Sequence, residues 1–393
     1  MTLDEVWNRA REIMRPNCRA CKVCNGVACR GEIPGVGAMG DGSSWTNCTE
    51  FLSRVKINMD TVYEDRGQDT TLNIFGRSFK YPIFAAPIGG MNHNYNGAMT
   101  DRDWTFALVE GARAAGILPF TGDNANPEQY YRGVEAAKAN GGLNVVTLKP
   151  WADNEKLISR AREMEAAGCI AFACDVDAAG YANMGAAASQ LAPKSEADLR
   201  EITSAVRIPF LLKGVMTAAG AEKAARAGCA GVIVSTHGGR VIQSAPGTCE
   251  VIPEIRAAVG DSIKIIADGA LRTGTDIFKA LALGADAVMI GRPFVVAAHG
   301  GGAEGVTLYA ESLGAQLKNV SAGGREYLWQ GDPAIWNGRA PNLFPYVGRL
   351  TGDAYTLEGR TYHMPHHGFA KLTDFALGER RSDAVTLTMS HTE

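Results

Sequence analysis

The sequence predicts an α/β protein built on a (β/α)8 TIM barrel, with an N-terminal Cys- and Gly-rich extension and a C-terminal partial antiparallel β segment. Between about residues 80 and 320 one unit repeats: an apolar run, a Gly-containing turn, and a helix-length stretch rich in Ala, Glu, Lys and Arg. Eight such runs occur, and they lack the polar alternation of half-exposed strands. A doubly wound sheet is the alternative, but it rarely uses eight such regular units.

Three regions follow from this pattern. We expect an extension over residues 1–80, the barrel over 81–318 and the partial β segment over 319–393. The first fourteen residues are charged and have a helical pattern, unlike a signal peptide. From about residue 324 the pattern changes to alternating polar and apolar residues with aromatics and Gly turns, which indicates antiparallel β structure.

The eight apolar runs are the predicted barrel strands, and the segments between them have room for one crossover helix each, as in 195–206 and 217–227. In order, the runs are Pro82–Ala86, Ile117–Phe120, Asn144–Leu148, Ile170–Cys174, Pro209–Lys213, Gly231–Ser235, Ile263–Ala267 and Ala287–Ile290.

Composition excludes several classes of function. Lys and Arg total 39 against 42 Asp and Glu, so the formal charge of -3 argues against a nucleic-acid partner. No run approaches the roughly 18 apolar residues of a membrane span. Nine cysteines without an export signal indicate reduced thiols, so we expect a cytoplasmic protein. We also expect a homo-oligomer.

Active sites of TIM barrels lie at the C-terminal ends of the strands. His237 and Arg240 follow the sixth run, where a neutral imidazole could take a proton and an Arg fork could hold a carboxylate. A structural histidine is the alternative for His237. The loops after the last two runs offer backbone N–H groups and guanidiniums suited to a phosphate; their candidates are Asp268, Gly269, Arg272, Gly291 and Arg292.

Three motifs in this region carry a family resemblance. The runs LLKG, VSTHGGR and IADGALRTGTDIFKALALGADAVMIGRP resemble those of the FMN-dependent α-hydroxy-acid oxidase/dehydrogenase family, which includes glycolate oxidase and lactate oxidase. The resemblance implies an FMN-bearing barrel that oxidises a small 2-hydroxy carboxylate to a 2-oxo acid and passes the electrons to an acceptor that the sequence does not identify.

The resemblance also implies roles for individual residues. His237 would be the base, Arg240 the ligand of the substrate carboxylate, Asp175 the carboxylate that orients the imidazole, and Lys213 a cation beside the flavin. Its implied cofactor contacts are Pro87, Ile88, Gly89, Thr121, Thr147, Lys213, Ser235, Asp268, Gly269, Arg272, Gly291 and Arg292.

Two departures from the family pattern concern the substrate. Thr147 and Lys149 stand where these oxidases usually carry a Gln and a Tyr, and the loop after the fourth strand has no Arg. Other reactions of FMN barrels, of the isopentenyl-diphosphate isomerase type 2 or glutamate-synthase kind, remain an alternative because DGALRTG resembles their flavin loops too. A third possibility is an inactive flavin- or metal-binding fusion product.

The extension contains four closely spaced cysteines, Cys18, Cys21, Cys24 and Cys29. The spacing C-x2-C-x2-C-x4-C resembles ferredoxin-type iron–sulfur runs more than a zinc ribbon, which has two separated CxxC pairs. An Fe–S cluster, a structural zinc ion and unligated thiols are therefore three open interpretations.

The C-terminal region carries a second resemblance. Residues 306–393, with REYLWQGDPAIWNGRAPNLFPYVGRL and HMPHHGFAK, resemble the N-terminal part of an aldose 1-epimerase (galactose mutarotase). The general base of that family, a Glu near its C terminus, has no counterpart here. We therefore expect a truncated epimerase-like segment without mutarotase activity, arising from a fusion, a recombination or an assembly artefact.

Overall fold

The computed structural model of the chain describes residues 1–32, 36–58, 69–180 and 182–315, and then 321–322, 325–326, 353–357, 359–363, 376–380 and 385–388. The chain divides into two units, Met1–Lys318 and Asn319–Glu393. None of the helices in these described ranges is long and apolar enough to cross a membrane.

The N-terminal region begins with two helices and a hairpin. Helix α1 spans Leu3–Ile13, α2 spans Ser43–Arg54, and strands β1 (Leu72–Ile74) and β2 (Arg77–Phe79) pair antiparallel. A capping box starts α1: the Glu5 N–H donates to Thr2 Oγ1 at 3.2 Å, and the Thr2 N–H donates to Glu5 Oε2 at 2.7 Å. This confirms the helical interpretation of the first residues.

Eight parallel strands then close into a barrel, which confirms the predicted fold class. The strands lie within one or two residues of the predicted runs, because strands covered on both faces give continuous apolar sequence. They are β3 (Ile83–Ala85), β4 (Leu118–Thr121), β5 (Val145–Leu148), β6 (Ala171–Asp175), β7 (Phe210–Lys213), β8 (Gly231–Ser235), β9 (Lys264–Asp268) and β10 (Ala287–Ile290).

Helices cover the outside of the barrel, and the predicted crossovers over 195–206 and 217–227 are among them. Two 3-10 segments, Val176–Gly180 and Ala182–Gln190, follow β6. The helices are α3 (Met91–Asn94), α4 (Asp101–Ala115), α5 (Glu128–Ala139), α6 (Asn154–Ala166), α7 (Glu196–Ser204), α8 (Ala218–Arg226), α9 (Thr248–Val259), α10 (Gly274–Ala282) and α11 (Arg292–Ala315). Helix α1 joins this layer, since its Trp7 ring lies 5.3 Å from the ring of Tyr309 on α11.

Side chains alternate between two packed layers along each strand. Phe84, Phe120 and Leu211 belong to the cluster inside the barrel, and the Phe84 and Phe120 rings stack at 5.6 Å. Their chain neighbours, such as Ile83 and Leu212, pack outward against the helices. The alternation decides which residue at each strand end faces the barrel mouth.

The second unit contains three short antiparallel pairs among its described residues. Strands β11 (Ser321–Ala322) and β12 (Arg325–Glu326), β13 (Ala354–Leu357) and β14 (Arg360–His363), and β15 (Ala376–Arg380) and β16 (Val385–Thr388) pair in sequence. The pairing agrees with the predicted antiparallel character. Most of the epimerase-like motif, including HMPHHGFAK from residue 364 onward, lies outside the described residues.

Candidate active site

A cavity of about 530 Å³ opens at the C-terminal ends of the barrel strands. Its described lining includes five cationic side chains, Lys149, Lys213, Arg240, Arg272 and Arg292, against three carboxylates, Asp123, Asp175 and Asp268. A cavity of this size suits a small-molecule ligand or cofactor. Its excess of positive charge suits one that carries anionic groups.

A buried ion-pair network lies on the wall of the cavity. Lys149 Nζ donates to Asp175 Oδ2 at 2.8 Å, and Lys213 Nζ lies 2.9 Å from Asp175 Oδ1 and 4.0 Å from Asp268 Oδ2. Although burial acts against it, the charge of Asp175 raises the pKa of Lys213. Lys149 and Lys213 likewise outweigh burial and lower the pKa of Asp175. Lys213 therefore stays charged at neutral pH.

His237 lies at the edge of this network in an uncommon backbone conformation. Its φ of 55° is in the left-handed region, which non-glycine residues seldom occupy outside turns and functional sites. The His237 N–H donates to Ser235 Oγ at 3.1 Å, and Ser235 Oγ donates to Asp268 Oδ2 at 2.7 Å. Strand β8 and the Asp268 carboxylate together hold the imidazole at the cavity.

The carboxylate in contact with the imidazole is Asp177. His237 Nδ1 lies 3.2 Å from Asp177 Oδ1 and 3.3 Å from Oδ2. Gly214 makes room for this carboxylate, because a Cβ at that position would lie 2.4 Å from Asp177 Cγ. The orienting role that the sequence suggested for Asp175 is corrected by this geometry. Asp175 forms ion pairs with Lys149 and Lys213. One of its carboxylate oxygens lies within 4.8 Å of a ring nitrogen of His237, so Asp175 acts on the imidazole through its charge.

Burial lowers the pKa of His237, and the neighbouring positive charge of Lys213 lowers it further. The two carboxylates, Asp177 and Asp175, oppose this shift without reversing it. The imidazole is therefore neutral at neutral pH, which is the form able to accept a proton.

Arg240 lies on the same loop and lines the cavity. Its Nη2 donates to Asn94 Oδ1 at 2.9 Å, and only 9% of the residue is exposed. The loop therefore brings an imidazole and a guanidinium to one cavity, as predicted from their spacing.

The two arginines predicted at the phosphate end also line the cavity. Arg292 Nε donates to the Val36 carbonyl at 2.8 Å, and its guanidinium lies 3.6 Å from the centre of the Trp45 ring. Arg272 Nε donates to the Cys24 carbonyl at 3.1 Å. No sequence pattern predicts that the extension reaches this site, because these contacts join positions more than 200 residues apart.

Most predicted cofactor contacts lie on the cavity wall. The lining contains Pro87, Ile88 and Gly89 after β3, Asp268 at the end of β9 with Gly269 after it, and Gly291 after β10, together with Lys213 and the two arginines. Ser235 and Thr147 are buried just behind the lining, and their contacts with a cofactor stay predictions.

Thr121 does not lie on the cavity wall, and its contact with a cofactor stays a prediction. Leu118 and Phe120 of β4 point into the barrel, so the next side chain points outward. Thr121 Oγ1 accepts a hydrogen bond from Asn144 Nδ2 at 2.8 Å and faces Gly133 of helix α5. Gly122 follows Thr121 and lines the cavity instead.

The cavity fits FMN on two observations. The guanidiniums of Arg272 and Arg292 both line the cavity and offer donors suited to a phosphate. At the cavity wall, Trp45 Nε1 and Thr236 Oγ1 are buried polar atoms that have no hydrogen-bond partner among the described residues. Buried polar groups are normally satisfied, so these atoms suit a polar ligand.

The cysteines of the extension are unbridged thiols, as are the other five. Cys18, Cys21, Cys24 and Cys29 are all partly buried, and Cys24 and Cys29 pack against a cluster that contains Trp45. Among the described residues, only Asp175, Asp177 and His237 bring three possible metal-ligand atoms within 4.8 Å of one another.

Comparisons with known proteins identify the family of this chain. The family model described as FMN-dependent dehydrogenase matches residues 36–189 and 181–323. L-lactate oxidase of Lactobacillus jensenii is 32% identical over 317 residues, 70% of this chain and 72% of the relative. L-lactate oxidase of Alicycliphilus denitrificans is 42% identical over 290 residues, 64% of this chain and 76% of the relative. A solved mandelate oxidase mutant with the C4a-OH-FMN adduct aligns with a TM-score of 0.65 at 25% identity, covering 80% of this chain and 92% of the other.

Proposed function

Because this chain belongs to the FMN-dependent dehydrogenase family, and is thereby an FMN-dependent oxidoreductase acting on a CH–OH group, we propose that it oxidises a small 2-hydroxy carboxylate to the 2-oxo acid. The observation that carries the proposal is the position of His237 and Arg240 on one cavity. Relatives named lactate oxidase, 2-hydroxyacid oxidase and 4-hydroxymandelate oxidase support the substrate class.

The proposed roles follow from charge and geometry. Arg240 holds the substrate carboxylate through its guanidinium, which sets the hydroxyl-bearing carbon within reach of His237. His237 accepts the proton at Nε2, since its Nδ1 faces Asp177. The Asp177 carboxylate then stabilises the imidazolium that forms. Bound FMN supplies the two-electron oxidation itself.

Lys213 has an electrostatic role in this proposal. Its buried ammonium stays charged because Asp175 pairs with it, so it presents a fixed positive charge at the cavity wall. A fixed charge in a site of low dielectric stabilises negative charge that develops there during reaction.

Lys149 is proposed to shape the choice of substrate. It occupies the position of the Tyr that the related oxidases usually carry, and it lines the cavity while donating to Asp175. A lysine is a point charge rather than a planar fork, so it adds positive potential without bidentate recognition.

The two alternative functions, another FMN-barrel reaction and an inactive flavin-binding protein, do not account for the shared position of His237 and Arg240 on the cavity. An isomerase or glutamate-synthase-like reaction would use the flavin loops but gives no reason for His237 and Arg240 to share the cavity. An inactive flavin-binding protein would likewise not need a neutral imidazole there. A metal group on the four N-terminal cysteines is a separate component of the proposal, for which their spacing allows iron–sulfur or zinc.

Substitution of Arg240 tests the proposal. In Arg240→Lys the planar fork is lost, so the concentration of 2-hydroxy acid that gives half the maximal rate of flavin reduction should rise about tenfold or more. Arg132→Lys on the exposed face of helix α5 is the matched control and should behave as the unmodified chain. The rates are measured by stopped-flow absorbance, and an unchanged concentration at half-maximal rate in Arg240→Lys would exclude Arg240 from substrate binding.

A further inference from the structure

We propose that Cys18, Cys21, Cys24 and Cys29 hold a [4Fe–4S] cluster against the wall of the flavin cavity. This site is additional to the oxidation proposed above, and its existence does not depend on the identity of the substrate.

The spacing of the four residues is the first support. Three cysteines separated by two residues each, followed by a fourth, provide four soft ligands on one short segment. All nine cysteines are unbridged, so the four thiols are free to act as ligands.

The segment that carries them buries Ala20, Val36 and Ala38 but has no regular secondary structure among its described residues. Between α1 and α2, the described residues 14–32 and 36–42 form turns and no helix or strand. Segments longer than about 12–15 residues without secondary structure are uncommon in compact domains. Its internal ion pair, Arg19 Nη2 to Glu32 Oε1 at 2.8 Å, is exposed and contributes little. A metal group is the usual stabiliser of such a small region.

The separation of the sulfur atoms favours a cluster over zinc. Four thiolates on one zinc ion, at Zn–S distances of about 2.3 Å, lie about 3.8 Å from one another. No three of these four described cysteines have sulfur atoms that all lie within 4.8 Å. In a [4Fe–4S] cluster each thiolate binds a different iron atom, so its ligands are more widely spaced.

The contacts of Arg272 with Cys24 also favour an iron–sulfur cluster. Arg272 Nη2 donates to Cys24 Sγ at 3.7 Å, and Arg272 Nε donates to the carbonyl of the same residue. Hydrogen bonds to ligand sulfurs are a regular feature of protein-bound clusters. Since Arg272 also lines the cavity, one side chain links the cluster site to the flavin site.

The first test is metal analysis of the full chain, expressed with added iron and purified without oxygen. We expect about four iron and four acid-labile sulfide per chain, and an electron paramagnetic resonance signal after dithionite reduction. Zinc without iron, or neither metal, would overturn the proposal.

A ligand variant localises the group. Cys21→Ser should lose the iron, whereas the matched control Cys229→Ser, at a buried cysteine before β8, should keep it. Full iron content in Cys21→Ser would contradict the assignment. FMN content and flavin bleaching by a 2-hydroxy acid are measured on the same samples. Bleaching in a chain without iron refutes only the cluster. Iron in a chain whose flavin does not bleach refutes only the proposed oxidation. If Cys21→Ser does not fold, the metal analysis of the unmodified chain decides alone.

Discussion

At the scale of single residues, the site depends on which carboxylate each cation and ring contacts. Asp175 and Asp177 are two residues apart, yet Asp175 binds two lysines and Asp177 faces the imidazole. The family motif alone did not separate them. The distinction depends on the turn after β6, where the first 3-10 segment begins at Val176 and redirects the chain.

His237→Asn tests the proposed base. An amide cannot accept the proton, so flavin reduction by a 2-hydroxy acid should slow by about 10²–10⁴-fold while FMN content is kept. The rate is measured anaerobically by stopped-flow absorbance, and the retained flavin spectrum is the control for folding. A rate equal to that of the unmodified chain would exclude His237 as the base.

The pH profile gives a second test of the same residue. Burial and Lys213 lower the pKa of His237 below its ordinary value of about 6.5. The neutral imidazole is the active form, so the rate of flavin reduction should be at its plateau at neutral pH and fall as the pH drops through that lowered pKa. An acid limb centred above pH 7 would contradict this assignment.

At the scale of elements, alternation along the strands explains both the predictable strands and the position of Thr121. The eight strands were predictable because continuous apolar runs are typical of parallel strands covered on both faces. The family resemblance implied that Thr121 contacts the cofactor, whereas its parity along β4 directs its side chain toward helix α5. Parity counted from Phe120 would have shown this direction from sequence alone.

The interior layer of the barrel supports the strands on which the site is built. Phe120→Ala removes a fully buried ring that stacks on Phe84, so the free energy of unfolding should fall by about 3–5 kcal/mol. The matched control is Phe278→Ala on α10, whose side chain is 48% exposed, and it should change stability little. Denaturant titration measures both, and equal effects would contradict the layer assignment.

At the scale of the whole molecule, the sequence predicted the barrel and most of the cavity but not the contribution of the extension. Trp45 stacks on Arg292, and the Val36 carbonyl accepts from the same guanidinium. No periodic pattern predicts such contacts, because they depend on how helix α2 and the segment before it pack over the barrel mouth. The epimerase-like resemblance of the second unit stays a prediction, since the family model ends at residue 323.

The most direct test of the whole account is an anaerobic absorbance spectrum of the purified full chain, recorded before and after addition of L-lactate, glycolate and mandelate. We expect flavin bands that bleach with at least one of these acids and a 2-oxo acid as the product. A chain that holds FMN but keeps its flavin bands with every acid would contradict the proposed oxidation and favour an inactive flavin-binding protein.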